Sequence, residues 1–555
     1  MSSSSDLLTS WRGLLPRAAD YAVARTSWKL DLVAGVTVGV VALPLALAFG
    51  VTSGVGASAG IVTAIIAGIV AGIFGGSHLQ VSGPTGAMTV VLVPIVERYG
   101  PGAVYTLAIL AGVVVVGMGL ARLGRAVMYL PWPVIEGFTV GIATVIALQQ
   151  VPLALDVIKP AGENTAVVAF ETLLLADNQR SLIAAALVAF VIIVMIITMK
   201  IRHSLPASLI SVVIATIVAE VLHLDTSRIG ELPAALPQFS VPALDITTIR
   251  ALLSSAIAVA ALAAIESLLS ARVADGMSDE SKSEPDRELV GQGLANIASG
   301  FFGGMPATGA IARTAVNVRS GARTRLSSIF HSVVLVIAIL AGSSLLSKIP
   351  LAALAGVLFV TAYRMVERRT VFALLKSSRN DAGVFLVTAI ATVALDLIIA
   401  VEIGIALAAA LALRALASSS SVHTESIRED SINNDTESEL LHQHIGIYRL
   451  DGALFFGAAQ RFLDDLTDDL HIKVMILRLD RVNLLDATGA QTLNEVIEDL
   501  QSRGVTVLLK GVQDRHRATL DAVGTFGLLA NPRHNFALLP EAIEEARNIV
   551  RTQLA

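Results

Sequence analysis

The chain has no cysteine among its 555 residues, which excludes disulfide frameworks, thiolate metal sites and cysteine nucleophiles. Charge is scarce: Asp, Glu, Lys and Arg supply only 15% of residues, against about a quarter in an ordinary soluble domain. A net charge of −5 leaves no basic footprint, so nucleic acid is not expected as a partner. Neither the phosphate-cradling G-x-x-x-x-G-K-[ST] nor H-E-x-x-H occurs, and the ten His residues fall at no ligand spacing. ATP-driven chemistry and metal-assisted hydrolysis therefore lack their machinery, and the reading is of a non-enzyme without metal or cofactor. A cleaved leader is not expected either, because the first long apolar run begins only after Asp31 and leads straight into more such runs.

What the chain has in excess is apolar: 54% of its residues are hydrophobic. The charged residues make up about 12% of 1–416 and about 24% of 417–555, so a membrane domain precedes a soluble one. The expected organisation is a cytoplasmic N-terminal segment at 1–30, a transmembrane domain at 31–416, a polar linker at 417–443 and a small α/β domain at 444–555. Runs long enough to span a bilayer fall near 31–50, 58–75, 103–120, 133–150, 181–200, 206–222, 251–271, 288–304, 328–346, 381–397 and 399–416. Two short apolar segments after Ser82 and Pro306 and a marginal one at 350–362 bring the total to fourteen.

Loop charges test that count, since Lys and Arg gather on the cytoplasmic side. Arg12, Arg17, Arg25 and Lys29 place the N-terminus inside. Alternation then makes cytoplasmic the loops with Arg122/Arg125, Lys200/Arg202, Arg319/Arg323/Arg325 and Arg364/Arg368/Arg369, while the acidic-leaning loops 151–180 and 223–250 fall outside. The soluble domain ends up cytoplasmic, in a multi-pass protein of the cell's inner membrane.

Thr-Gly-Ala recurs at Thr85-Gly86-Ala87 and Thr308-Gly309-Ala310, 223 residues apart, at the start of the third and tenth segments. Those segments are the two short ones, and spans seven apart run in opposite directions, the pattern of an inverted seven-helix repeat. If extended chain completes each crossing, two half-helices begin near the midplane with their N-termini facing each other, and their free N–H groups can hold an anion. Two kinked structural helices are the alternative. Glu266 in the eighth span and Arg313 in the tenth are charges that helix ends do not explain. They point either to one functional site or to an ion pair joining two helices. Ser270 lies four residues after Glu266, on the same helix face.

These segments resemble a known family. Leu43-Pro44-Leu45-Ala46-Leu47-Ala48-Phe49-Gly50, Val81-Ser82-Gly83-Pro84-Thr85-Gly86-Ala87, Ala264-Ile265-Glu266-Ser267-Leu268-Leu269, Glu288-Leu289-Val290-Gly291-Gln292-Gly293 and Ala310-Ile311-Ala312-Arg313 are similar to motifs of the sulfate permease family, whose animal branch includes pendrin and prestin. The resemblance implies fourteen spans in two inverted repeats, a core domain moving against a gate domain in an elevator-like alternating-access cycle, and a cytoplasmic STAS domain. It implies that Phe49, Thr85, Gly86, Ala310, Ile311 and Arg313 line the anion site and that Glu266 and Ser270 serve ion coupling. The sodium-coupled bicarbonate branch looks like it has Asp at the acidic position and a small residue in place of Arg313, so Glu and Arg here favour a proton over sodium. The implied activity is proton-coupled uptake of four-carbon dicarboxylates such as succinate, fumarate and aspartate, with sulfate or bicarbonate transport, or an uncoupled anion channel, as alternatives. A homodimer in the lipid bilayer and a cytoplasmic partner for the STAS domain belong to the same implication.

In the soluble region the apolar runs 445–450, 474–479 and 505–509 read as buried strands and 494–500 as a helix. Asp486-Ala487-Thr488-Gly489 resembles the STAS loop that is phosphorylated on a hydroxyl, which makes Thr488 the regulatory candidate. The preference of Thr for helix starts makes it a candidate N-cap as well.

Overall fold

The structure is a computed structural model and describes residues 14–21, 23–125, 131–160, 162, 164–176, 179–201, 205–232, 238–242, 245–278, 282–395, 397–418, 421–424, 444–454 and 472–554. It divides into two compact units, Met1–Ile405 and Ala406–Ala555. Among the described residues fourteen main helices, with shorter ones between them, build the first, and the last of the fourteen runs across the division at Ile405. They are α1 (Ala24–Thr52), α2 (Ala57–Phe74), α3 (Gly86–Tyr99), α4 (Gly102–Leu120), α5 (Trp132–Gln149), α6 (Gln179–Ile201) and α7 (Ala207–Val221), then α8 (Ile246–Met277), α9 (Pro285–Phe301), α10 (Ile311–Arg319), α11 (Leu326–Leu346), α12 (Leu351–Met365), α13 (Arg379–Ala394) and α14 (Leu397–Ser418). Among the described residues seven of them (α1, α2, α4, α5, α6, α8 and α11) are each long and apolar enough to cross a membrane unaided.

Packing partners exchange under a shift of seven helices, as an inverted repeat requires: α4 packs on α8 and α9, and α11 packs on α1 and α2. Likewise α5 packs on α13, and α12 on α6. The α4–α9 contact is backbone on backbone: a Cβ at Gly112 would lie 2.6 Å from the Gly293 carbonyl, and one at Gly293 would lie 2.7 Å from the Gly112 carbonyl. Without a hydrophobic drive between helices in lipid, such close approach of small residues supplies the contact.

Two features differ from the sequence expectation. The first span starts at Ala24 rather than 31, because Asp31 is not a boundary charge. It is fully buried and accepts from the backbone N–H of Arg323 and Thr324 and from the hydroxyls of Ser27 and Thr324, which caps the chain entering α11. Short helices also occur where loops were expected, at Thr165–Leu175 between α5 and α6 and at Arg368–Lys376 between α12 and α13.

The second unit holds a sheet in the order β3-β4-β5-β6-β7 (Ser421–Thr424, Ile445–Leu454, Val474–Leu485, Thr506–Lys510, Asn535–Phe536), parallel except for β3. Both faces of β5 are covered. Met475 and Leu477 pack with α15 (Ala487–Ser502), while Val474 and Ile476 pack with α17 (Leu539–Leu554). This explains an apolar run without alternation, since a central parallel strand is buried on both sides. α16 (Asp514–Ala522) adds Leu520 to the first of these faces. β3 falls inside the segment expected to be a linker; it pairs antiparallel with β4 as an edge strand, a place its short Ser-Val-His-Thr sequence suits.

Candidate functional site

The third and tenth segments are half-helices. α3 has 14 residues and α10 has 9, so at 1.5 Å per residue they reach about 21 and 13 Å against roughly 30 Å of hydrocarbon. Extended chain leads into each: β1 (Ser82–Gly83) and β2 (Thr308–Gly309) pair antiparallel, with Ser82 opposite Gly309 and Gly83 opposite Thr308, and the Ala310 N–H donates to the Val81 carbonyl at 2.9 Å. The two Thr-Gly-Ala copies thus meet side by side.

Non-helical backbone at this depth has to be satisfied by protein, and polar side chains from four helices, α2, α8, α9 and α10, do that. Asn296 exchanges two hydrogen bonds with the Ala307 N–H and carbonyl, and Gln292 also donates to that carbonyl. The Met305 N–H donates to the Thr63 hydroxyl, the Gly309 N–H to Ser267, and the Val81 N–H to Thr314. The Glu288 carboxylate takes the Gly76 and Ser77 N–H groups and the Gln80 amide. Sequence reasoning missed this framework, although Glu288, Gln292 and Asn296 recur every four residues on one face of an apolar span and could have signalled it.

At the centre three oxygens form a triangle. The Thr85 and Thr308 hydroxyls lie 2.8 and 2.7 Å from Glu266 Oε2, and 3.1 Å from each other. Three edges can hold three protons. An ionised carboxylate leaves two hydroxyl protons for them, both aimed at Oε2; a protonated carboxyl adds a third and closes the ring with one donor per edge. The geometry therefore accommodates both states of Glu266.

Arg313 is 2% exposed and donates through Nη2 to the Pro84 carbonyl, with Nη1 against Gly83. It joins the start of α10 to the approach of α3, and no ion pair links it to Glu266. Ser270 is not brought to Glu266; its hydroxyl lies 2.9 Å from that of Thr314, which supports Val81. Phe49, Thr85, Gly86 and Ala310 are buried together around the two helix starts, whereas Ile311 is 41% exposed. A residue that sequence reasoning did not single out closes the α3 side. The tip of Ile146, from α5, occupies the space at Gly86: a Cβ there would sit 2.1 Å from Ile146 Cδ1 and 3.5 Å from the Phe49 ring. Beyond them, the Thr52 hydroxyl donates to the buried Gln150 at 3.2 Å and ties the end of α1 to that of α5.

The glycines and serine of Gly56-Ala57-Ser58-Ala59-Gly60 satisfy the spacing of a nucleophile elbow but run into α2, with no strand before them, so they carry no acyl-transfer chemistry.

A family model described as the sulfate permease family matches residues 28–388, and a STAS domain model matches residues 440–538. The chain belongs to the sulfate permease family. Among its relatives, the putative sulfate transporter YvdB of Bacillus subtilis is 34% identical over 505 residues, covering 89% of this chain and 94% of that protein. The bicarbonate transporter BicA of Synechocystis is 31% identical, covering 89% and 90%. The structure of the murine Slc26a9 anion transporter in the inward-facing state has the same fold, with a TM-score of 0.84 over 99% of this chain and 96% of that one at 17% identity. The protein is thus an anion transporter of the sulfate permease family, a multi-pass membrane protein with a STAS domain.

In the STAS domain of this family member, the N-cap expectation for Thr488 is corrected. Asp486 caps α15 by accepting the Gly489 N–H at 2.7 Å, and Thr488 is an exposed residue of the first turn. A carboxylate accepts an N–H more strongly than a hydroxyl does, and the register puts Asp486 where the turn begins.

Proposed function

We propose that the chain is a secondary active transporter of a small inorganic oxyanion, sulfate first, carried with a proton on Glu266. The observation behind this reading is the triangle of Glu266, Thr85 and Thr308 at the meeting point of two half-helix N-termini. Each helix start contributes about half a positive charge. With Glu266 ionised its charge offsets that of Arg313, leaving about +1 from the helix ends, which suits a monovalent ion such as bicarbonate. With Glu266 protonated the site carries about +2 and suits sulfate. Proton and divalent anion then favour each other, which is the requirement for symport.

The dicarboxylate reading needs Arg313 free to pair with a second carboxylate. Arg313 is instead buried against Pro84 and Gly83, and the relatives named above are a putative sulfate and a bicarbonate transporter. Loop charge puts the N-terminus, the loop after α12 and the STAS domain in the cytoplasm. On that topology the exposed start of α10 faces inward while Phe49, Ile146 and the Thr52–Gln150 bond close the outer side, an inward-open arrangement. Uptake of labelled sulfate, bicarbonate and fumarate by proteoliposomes, with and without an inward proton gradient, tests the reading. Gradient-driven sulfate accumulation supports it; fumarate accumulation with no sulfate uptake contradicts it.

A further inference from the structure

The two short helices absent from the sequence reading occupy equivalent places in the two repeats. Thr165–Leu175 and Arg368–Lys376 both follow the fifth span of their repeat, and both pack against α5 and α13. At 11 and 9 residues neither can cross a bilayer. Both turn large apolar side chains outward: Phe170 is 62% exposed and Leu174 69%, Phe372 61% and Leu375 41%, while Leu374 anchors the second helix at 2%.

They differ in charge. Residues 164–176 carry Glu171 and no cation, whereas residues 364–379 carry Arg364, Arg368, Arg369, Lys376 and Arg379 against Glu367 alone. All five cations are exposed, and none has an ion-pair partner among the described residues. Arg364 touches the Met199 sulfur and Arg368 rests over the Tyr363 ring at 4.9 Å. One helical turn places Arg368 and Arg369 before Phe372 and Leu375 and Lys376 after it, so three cations flank two exposed apolar side chains. An apolar face framed by basic residues is the pattern of an interfacial helix on an anionic lipid surface.

We propose that Arg368–Lys376 binds the anionic phospholipid headgroups of the cytoplasmic leaflet and fixes α12 and α13 to the membrane surface. The inference rests on the topology given under the proposed function. Its internal control is the other repeat: the helix in the same place, Thr165–Leu175, has no cations and so offers anionic headgroups nothing to pair with. A lipid-pinned frame gives α1–α4 and α8–α11 something fixed to move against.

The experiment uses the full chain in nanodiscs of mixed phosphatidylglycerol and phosphatidylcholine, with retained lipids counted by native mass spectrometry. The protein should retain phosphatidylglycerol preferentially, the Arg368→Gln/Arg369→Gln/Lys376→Gln variant should lose about tenfold or more of that preference, and single Arg369→Gln should fall between them. If the triple variant does not fold, the single one decides. Equal retention by all three proteins, or displacement of the lipid by inorganic phosphate, overturns the proposal. Labelling of Ser378→Cys with an impermeant maleimide, clean because the chain has no cysteine of its own, reports the topology separately. Labelling from outside would overturn the topology on which the inference rests.

Discussion

The hydroxyls of Thr85 and Thr308 lie 3.1 Å apart although 223 residues separate them, and both reach the same oxygen of Glu266. Thr85 is the N-cap of α3 and Thr308 lies in the strand leading into α10, so the pseudo-twofold relation of the two repeats passes through a single hydrogen-bonded ring. Replacing either Thr by Val removes one hydrogen bond from the ionised state and two from the protonated ring. Hydrogen bonds to a charged group are worth roughly 1.5–3 kcal/mol. Thr85→Val and Thr308→Val should therefore each lower gradient-driven uptake by about tenfold or more, with Ser restoring it, and the double variant should lose less than the sum of the two. Additive losses in uptake assays would show that the two hydroxyls act separately.

Ile146 of α5 packs directly onto Gly86 at the start of α3. Gly86→Ala puts a methyl group into the space of Ile146 Cδ1, and overpacking of this kind costs about 1–3 kcal/mol. Uptake should fall in Gly86→Ala and return in Gly86→Ala/Ile146→Val, where the smaller side chain frees that space. Failure of the second substitution to restore uptake, in protein of normal thermal stability, would show that the contact does not limit transport.

In the proposed mechanism Arg313 acts by charge and by its hold on Pro84. Arg313→Gln removes the charge, so the sulfate KM should rise about tenfold while that for bicarbonate changes less. Equal changes for both anions would leave only the tether.

Asp20 is tied to α9, accepting from the buried Arg287 at 2.6 Å. Burial pushes the Asp20 carboxyl up, but the Arg287 guanidinium and the Arg17 N–H outweigh it and hold the group at about 2, below its ordinary 3.8. A carboxyl depressed on folding stabilises the protein above its ordinary value, and the stabilisation is lost as pH falls from near 4 through 2. The shift corresponds to about 2 kcal/mol. Asp20→Asn should lower the unfolding midpoint at pH 7 and flatten its dependence on pH below 4; an unchanged midpoint in thermal unfolding would mean the pair contributes nothing.

The spans, the two half-helices and the functional candidates Glu266 and Arg313 were legible in the sequence because a low-dielectric solvent leaves a coarse signature: long apolar runs, and charges that stand out within them. The partners of those charges were not legible. That Arg313 faces the Pro84 carbonyl, that Ser270 faces Thr314, and that Ile146 closes the site are outcomes of packing between residues 44 to 229 positions apart. Asp31 misled for the same reason, since a fully satisfied carboxylate and a boundary charge look alike until the N–H groups it accepts are known. Arg368–Lys376 escaped notice because its basic residues had already been read as an ordinary cytoplasmic loop.

The central claim is that Glu266 carries the proton that moves with the anion. Proton influx and labelled sulfate influx measured in the same proteoliposomes, for the native chain and for Glu266→Gln, test it most directly. The account expects coupled influx and gradient-driven accumulation in the native chain, and in the variant sulfate exchange that persists without proton movement or accumulation. Proton influx and accumulation unchanged in Glu266→Gln would contradict it.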